Sequence, residues 1–82
     1  MRDNKATSRF EIDEGGQTVW ADYRRAEGRI IIDHVEAPAS LRGTGAAGRL
    51  MAAIAEQAKV EGATIVPFCG YAAAWLARHS RT

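Results

Sequence analysis

The chain has 82 residues, of which 46% are hydrophobic and 26% are charged, so its length and composition predict one small globular domain and exclude a disordered or fibrous chain. Its 11 Lys and Arg residues nearly balance its 10 Asp and Glu residues, and because the two signs are mixed we expect no nucleic-acid or membrane partner. The single cysteine, Cys69, excludes an intrachain disulfide, and with the two histidines it forms no zinc-ligand spacing, so no metal site is expected.

The N-terminal half of the chain predicts strands joined by hairpins. Residues 1–7 are polar, lack the apolar core of a signal peptide and are expected to form the flexible tail of a cytoplasmic protein. The domain itself is expected to span residues 8–82, and apolar and polar residues alternate from its start to about residue 13. Gly15-Gly16 predicts a tight turn. In the next run, residues 17–24, three side chains are expected to share one face: Val19, Ala21 and Tyr23.

The third predicted strand, residues 29–37, contains three successive isoleucines. Such a run requires burial on both faces, which is typical of an interior strand covered by helices on at least one side. Strict alternation along this strand places Ile32, His34 and Glu36 on the same face. Pro38 ends the strand, because proline has no N–H to donate to a sheet.

A helix is predicted next, because apolar residues recur there at the i, i+3, i+4 spacing of an amphipathic helix: Ala47, Leu50, Met51, Ile54 and Ala58. Gly62 is expected to end this helix, and a buried strand over residues 63–68 and a short helix over residues 71–79 follow. Since strand-helix-strand units cross over right-handed, the last two strands should be parallel. The predicted fold class is α+β: a mixed, mainly antiparallel sheet of about four strands with two helices, in the order β-β-β-α-β-α.

The segment that points most directly to function is LRGTGAAGRL, residues 41–50, between a strand end and the first helical turn. The first N–H groups of a helix lack intrahelical acceptors and carry partial positive charge, and neighbouring glycines let a ligand approach the backbone. This arrangement predicts an anion site suited to a phosphate, with Arg42 and Arg49 as candidate phosphate ligands. The glycine spacing matches neither a P-loop nor the dinucleotide-binding fingerprint.

Several motifs resemble a known family. The run Arg42-Gly43-Thr44-Gly45-Ala46-Ala47 is similar to the Arg/Gln-x-x-Gly-x-Gly/Ala signature of the GNAT superfamily of acetyl-CoA-dependent N-acetyltransferases. Residues 33–38, 41–45 and 66–69 resemble its small single-domain branch, and the resemblance covers about residues 9–80. Two positions depart mildly from the branch: Ala37 precedes the proline where valine is frequent, and Ala46 replaces the usual isoleucine.

The resemblance implies that acetyl-CoA, or coenzyme A, binds at the signature loop. Backbone amides of residues 43–47 would hold the pyrophosphate, and the end of the third predicted strand would bond the pantetheine arm through its main chain. The last two strands would separate at Ala37 and Phe68 to admit that arm. The implied cofactor-binding residues are Val35, Ala37, Arg42, Gly43, Thr44, Gly45, Ala46, Ala47 and Tyr71.

Acetyl transfer to an amine requires a group that accepts the amine proton. The resemblance makes Glu36 the first candidate for this base, although a solvated acid at a strand end explains the residue equally well. His34 shares its face and is a second candidate, or a packed strand histidine. The resemblance also brings Cys69 near the coenzyme sulfur, where it would accept the acetyl group and pass it to the amine. Its alternative role is that of a small buried hydrophobic residue.

The implied function is an N-acetyltransferase that transfers acetyl from coenzyme A to an amine. The longer superfamily members have N-terminal helices that shape the acceptor pocket, and this chain has no residues for them, so a large, exposed acceptor such as a protein amine is expected. Tyr71 is a candidate proton donor to the departing thiolate. A non-enzymatic acyl-CoA-binding module is the first alternative, and an interaction protein whose loop binds no ligand is the second. The expected oligomeric state is a monomer or weak homodimer.

Overall fold

The computed structural model describes residues 1–79, which form one five-stranded sheet and two helices. The elements in chain order are β1 (Arg2–Asn4), β2 (Arg9–Glu14), β3 (Gln17–Ala26), β4 (Arg29–Glu36), a 3₁₀ turn (Ala39–Leu41), α1 (Ala46–Glu61), β5 (Thr64–Pro67) and α2 (Gly70–His79). The strands lie in the order β1-β2-β3-β4-β5, with antiparallel pairing up to β4 and parallel pairing between β4 and β5. The predicted α+β class with a mixed sheet and two helices is therefore confirmed.

The sheet has five strands rather than about four, because β1 forms within the stretch that the sequence predicts as a flexible tail. β1 pairs with β2 from Arg2 opposite Glu11 to Asn4 opposite Arg9. The Arg2 guanidinium bonds Glu11 at 3.0 Å and also bonds Asp13. This edge strand is thus joined to its neighbour by charged groups, which an alternation of apolar residues does not reveal.

Both helices pack on one side of the sheet, here called the covered face. Its strands contribute six buried side chains: Phe10, Val19, Ala21, Tyr23, Ile30 and Ile32. The helices contribute seven: Ala46, Leu50, Met51, Ile54, Ala58, Ala72 and Trp75. The helical spacing predicted four of the five buried α1 positions, and the fifth is Ala46 rather than the expected Ala47, which is only partly buried. The small alanines allow the helix to approach the sheet closely. Gly62, at φ 71°, ends α1 as predicted.

The other side of the sheet, the open face, carries polar and charged groups joined in pairs. Arg9 bonds Asp22 at 2.8 Å and lies over the ring of Trp20, and Arg24 bonds Asp33 at 2.7 Å. The residues of this face are Arg9, Glu11, Asp13, Thr18, Trp20, Asp22, Arg24, Ile31, Asp33, His34 and Glu36. Within residues 1–79, neither helix packs on it.

The expectation that Ile32, His34 and Glu36 share a face is wrong, because β4 contains a bulge. Tyr23 lies opposite Ile32, whereas the preceding residue of β3, Asp22, lies opposite His34. The extra residue in β4, Asp33, shifts the alternation by one position. Ile32 therefore stays on the covered face while His34 and Glu36 turn to the open face.

Candidate functional site

The site lies where β4 and β5 separate. The strands pair from Arg29 opposite Thr64 to Ile32 opposite Pro67, and the N–H of Phe68 still donates to the Ile32 carbonyl at 2.9 Å. β4 then continues to Glu36, whereas the segment that follows β5 turns into α2. The predicted separation at Phe68 agrees with this geometry, but on β4 it starts after Ile32 rather than at Ala37, because β5 is only four residues long.

A cavity of about 460 Å³ opens beside this separation. It is bounded by the end of β4, by the glycine loop (residues 42–47) and by the start of α2. Eight of the predicted cofactor-binding residues line it: Val35, Ala37, Arg42, Gly43, Gly45, Ala46, Ala47 and Tyr71. Glu36 lines the cavity as well, and so does Leu41, which the sequence analysis did not select. Thr44 and Cys69 do not line it.

The glycine loop leaves several N–H groups available to a ligand. Gly43 and Gly45 adopt φ values of 80° and 88°, which favour glycine at both positions. Their N–H groups donate to no acceptor within residues 1–79. The first intrahelical bond of α1 runs from the Arg49 N–H to the Gly45 carbonyl at 3.0 Å, so the N–H groups of Ala47 and Gly48 are also without intrahelical acceptors.

Thr44 makes hydrogen bonds to residues of the loop and of the turn before it. Its N–H donates to the Leu41 carbonyl at 3.2 Å, and its Oγ1 accepts the Ala46 N–H at 3.3 Å. Two of the five amides that the resemblance assigns to a pyrophosphate are thus already bonded within the loop. The available donors are those of Gly43, Gly45, Ala47 and Gly48.

Three side chains meet at the end of β4. One carboxylate oxygen of Glu36 lies 2.8 Å from His34 Nε2, and Arg42 donates to the other oxygen at 2.9 Å and to the Ala37 carbonyl at 3.1 Å. The hydrogen bond with His34, and after it the bond from Arg42, lowers the pKa of Glu36 below its ordinary value. Glu36 is therefore a fixed carboxylate that orients its two neighbours.

Arg49, the other candidate phosphate ligand, lies outside the cavity lining. Its guanidinium binds Glu14 with two hydrogen bonds of 2.7 Å and donates to the Thr44 carbonyl at 3.2 Å. The sequence alone did not indicate this pairing, because Glu14 and Arg49 are 35 positions apart.

Cys69 lies directly before α2, where its carbonyl accepts the Ala73 N–H at 3.0 Å, and its side chain is half-buried against the core. Tyr71, two residues later, reaches the first turn of α1. Its hydroxyl would lie 3.5 Å from a Cβ placed on Gly48, and so would Trp75 Nε1. Gly48 thus marks the close approach of the two helices, for which a glycine inside a helix is the sequence signal.

A second groove, of about 590 Å³, lies between the helices and β5 and is lined mainly by small apolar residues. It contains none of the available loop amides, so the smaller cavity is the candidate site. Among residues 1–79 no three His, Cys, Asp or Glu residues cluster as a metal site would require. Nor does any helix in this part of the chain have the length and apolar character needed to cross a membrane.

No curated protein matches the chain. A protein-family model described as GCN5-related N-acetyl-transferase matches residues 9–82, a range that includes both helices and the four strands β2 to β5. The chain therefore belongs to the GCN5-related N-acetyltransferase family.

Proposed function

We propose that the cavity binds acetyl-CoA and that the protein transfers its acetyl group to an exposed amine, such as that of a protein. The observation that carries this proposal is the position of the available N–H groups of Gly43, Gly45 and Ala47, which lie beside the unpaired part of β4. A phosphate suits helix N-terminal amides, and an amide-containing chain suits an unpaired strand edge.

The residues present fit both parts of the coenzyme. The loop amides would bind its pyrophosphate, and Arg42, which is exposed at the cavity wall, would add a positive charge. The backbone of residues 33–37 would bond the pantetheine arm as an added strand does. Acetyl-CoA supplies a thioester, from which an acetyl group is readily transferred.

For the amine proton, the geometry favours joint action of His34 and Glu36. Because Glu36 is an ionised carboxylate, the His34 nitrogen that faces it, Nε2, carries the hydrogen. The other ring nitrogen, Nδ1, has no hydrogen-bond partner within residues 1–79 and is thus able to accept a proton. In this proposal Glu36 orients His34, and His34 takes the proton from the amine.

Cys69 offers a second route. Its sulfur would attack the thioester carbonyl, forming acetyl-cysteine and releasing the coenzyme thiol, and the amine would then displace Cys69 with loss of one proton. Tyr71, which lines the cavity, would protonate the departing thiolate in either route. Intact-mass measurement after incubation with acetyl-CoA separates the two routes. A gain of one acetyl group that is lost in Cys69→Ala supports the covalent route, and full activity of Cys69→Ala excludes it.

The open face supports a large acceptor. No helix covers this face within residues 1–79, and His34 and Glu36 both lie on it, with His34 about half exposed. An amine on a protein surface could therefore reach the imidazole without entering a closed pocket.

Calorimetry with acetyl-CoA tests the binding step. Ala47→Asp places a carboxylate among the available amides, and since like charges in contact cost several kcal/mol, binding should weaken by at least about tenfold. Ala52→Asp is the matched control, because it introduces the same charge at an exposed position further along α1. Equal affinity of both variants and wild type would contradict the proposed cavity.

Release of free thiol in the presence of amines tests the chemical step. An N-acetyltransferase releases coenzyme thiol with at least one amine, and His34→Gln lowers that rate while leaving acetyl-CoA affinity unchanged. Binding without thiol release across peptides with free lysines and N-termini would instead support a non-enzymatic acyl-CoA-binding module.

A further inference from the structure

A bidentate ion pair joins the β2–β3 hairpin to the first turn of α1. Arg49 Nε and Nη2 donate to the two carboxylate oxygens of Glu14, each at 2.7 Å. The third guanidinium nitrogen, Nη1, donates to the Thr44 carbonyl at 3.2 Å. One side chain therefore contacts the hairpin and the glycine loop at the same time.

Two further contacts place the hairpin against the loop. A Cβ placed on Gly45 would lie 3.0 Å from Arg49 Nη1, so the guanidinium packs directly on the bare backbone of that glycine. From the start of β3, Gln17 donates a hydrogen bond to the Ser40 hydroxyl, in the 3₁₀ turn just before the loop. The hairpin thus contacts residues 40–44 on both sides of Gly43, directly at Ser40 and through Arg49 at Thr44.

The contact with Thr44 also determines where one available donor points. The Thr44 carbonyl and the Gly45 N–H belong to one planar trans peptide, in which the C=O and N–H bonds point in opposite directions. Because Arg49 binds the carbonyl from outside the cavity, the Gly45 N–H is aimed away from Arg49. Gly45 lines the cavity, and its N–H is one of the donors left available to a ligand.

We propose that Glu14 and Arg49 are positioning residues that hold the Thr44–Gly45 peptide in the orientation required for coenzyme binding. The proposal rests on the proposed function, since it concerns the same cavity. In it Arg49 acts through the loop rather than as a phosphate ligand, because each of its three nitrogens already donates to Glu14 or Thr44 and the side chain lies outside the cavity lining. Glu14 fixes the guanidinium, and the guanidinium fixes the peptide.

The sign of the effect of Glu14→Gln distinguishes positioning from direct phosphate binding. If Arg49 bound a phosphate, removal of its competing carboxylate would tighten coenzyme binding. In the positioning role, the same change releases the guanidinium from the hairpin, and binding weakens by about two- to fivefold, as expected for a partly exposed ion pair.

Calorimetry with coenzyme A should be performed on wild type, Glu14→Gln, Arg49→Gln and the charge-exchanged double variant Glu14→Arg/Arg49→Glu. Both single variants should bind more weakly, and the exchange should not recover the loss, because a carboxylate at position 49 cannot donate to the Thr44 carbonyl. Glu61→Gln is the matched control: Arg25 binds Glu61 with two hydrogen bonds of 2.7 and 3.2 Å, so it breaks a similar strand-to-α1 pair at the opposite end of the helix. Unchanged or tighter binding in Glu14→Gln, or equal weakening in Glu61→Gln, would overturn the proposal.

A measurement without coenzyme separates this proposal from the proposed function. The ¹⁵N order parameter of the Gly45 N–H should be close to that of rigid backbone, about 0.85, in wild type and should fall in Glu14→Gln but not in Glu61→Gln. If wild type binds no coenzyme A, the proposed function fails. An unchanged Gly45 order parameter would then contradict the positioning role independently.

Discussion

The covered and open faces of the sheet differ in what holds their side chains in place. On the covered face, Phe10 and Tyr23 stack with ring centroids 4.2 Å apart against fully buried aliphatic residues. On the open face, side chains are held by ion pairs and by arginines over aromatic rings, as with Arg9 and Trp20. Burial of apolar surface contributes far more to the free energy of unfolding than exposed ion pairs do. The covered face thus supplies most of the stability of the domain, and the open face supplies little of it.

The largest effect is expected from the adjacent residues Ile32 and Ile31, which lie on opposite faces of β4. Ile32→Ala removes a fully buried side chain against the helices and should lower the free energy of unfolding by about 2–5 kcal/mol. Urea unfolding followed by circular dichroism measures the change. Ile31→Ala, on the half-exposed side, is the control, and an equal loss in the two variants would remove the distinction between the faces.

A smaller effect is expected from acid. Hydrogen bonds from Arg2 and Arg24 lower the pKa values of Asp13 and Asp33, both on the open face. A lowered pKa in the folded state means that the stabilisation is complete above the ordinary carboxyl pKa, near 4, and is lost as the pH falls towards the folded-state value. The urea concentration at the unfolding midpoint should therefore decrease as the pH is lowered below about 4.

The control for the acid experiment is Asp33→Asn, which removes one of these carboxylates and should reduce the pH dependence. High salt should also reduce it, because exposed charges are screened. A midpoint that does not change between pH 5 and pH 3 would contradict the assigned role of these ion pairs.

The smallest effect is expected at Trp20. Its Nε1 is buried and has no hydrogen-bond partner within residues 1–79, which is unfavourable for a polar group. Trp20→Phe removes this N–H and some packing area, so the free energy of unfolding should change by no more than about 1 kcal/mol. Loss of several kcal/mol in the same urea titration would show that Trp20 belongs energetically with the covered face.

Much of this architecture follows from sequence patterns. Alternation in the second predicted strand identified Val19, Ala21 and Tyr23, and helical spacing identified the buried face of α1. The bulge at Asp33 was not predictable, because three consecutive isoleucines hide the phase of the alternation. β1 was missed for a different reason: its side chains make charge pairs with residues distant in sequence, which leave no hydrophobic period.

The candidate site likewise has features that the sequence indicated and features that it did not. The glycines of the loop indicated an anion site, because turn geometry is a local property of the chain, whereas the lining residues Val35, Ala37 and Tyr71 came only from the family resemblance. The contacts of Glu36 with His34 and Arg42, and of Arg49 with Glu14, depend on side-chain orientation and tertiary distance. These contacts required the folded structure.

The bulge in β4 gives one strand two separate tasks. Before Asp33, the even-numbered side chains Ile30 and Ile32 enter the core; after it, the even-numbered side chains His34 and Glu36 lie on the open face. If Asp33 instead paired regularly with Asp22, the two sets would be exchanged, turning Val35 outward and His34 and Glu36 toward the helices. A single extra residue therefore lets one strand supply apolar side chains to the core and polar side chains to the open face, although both sets have even numbers.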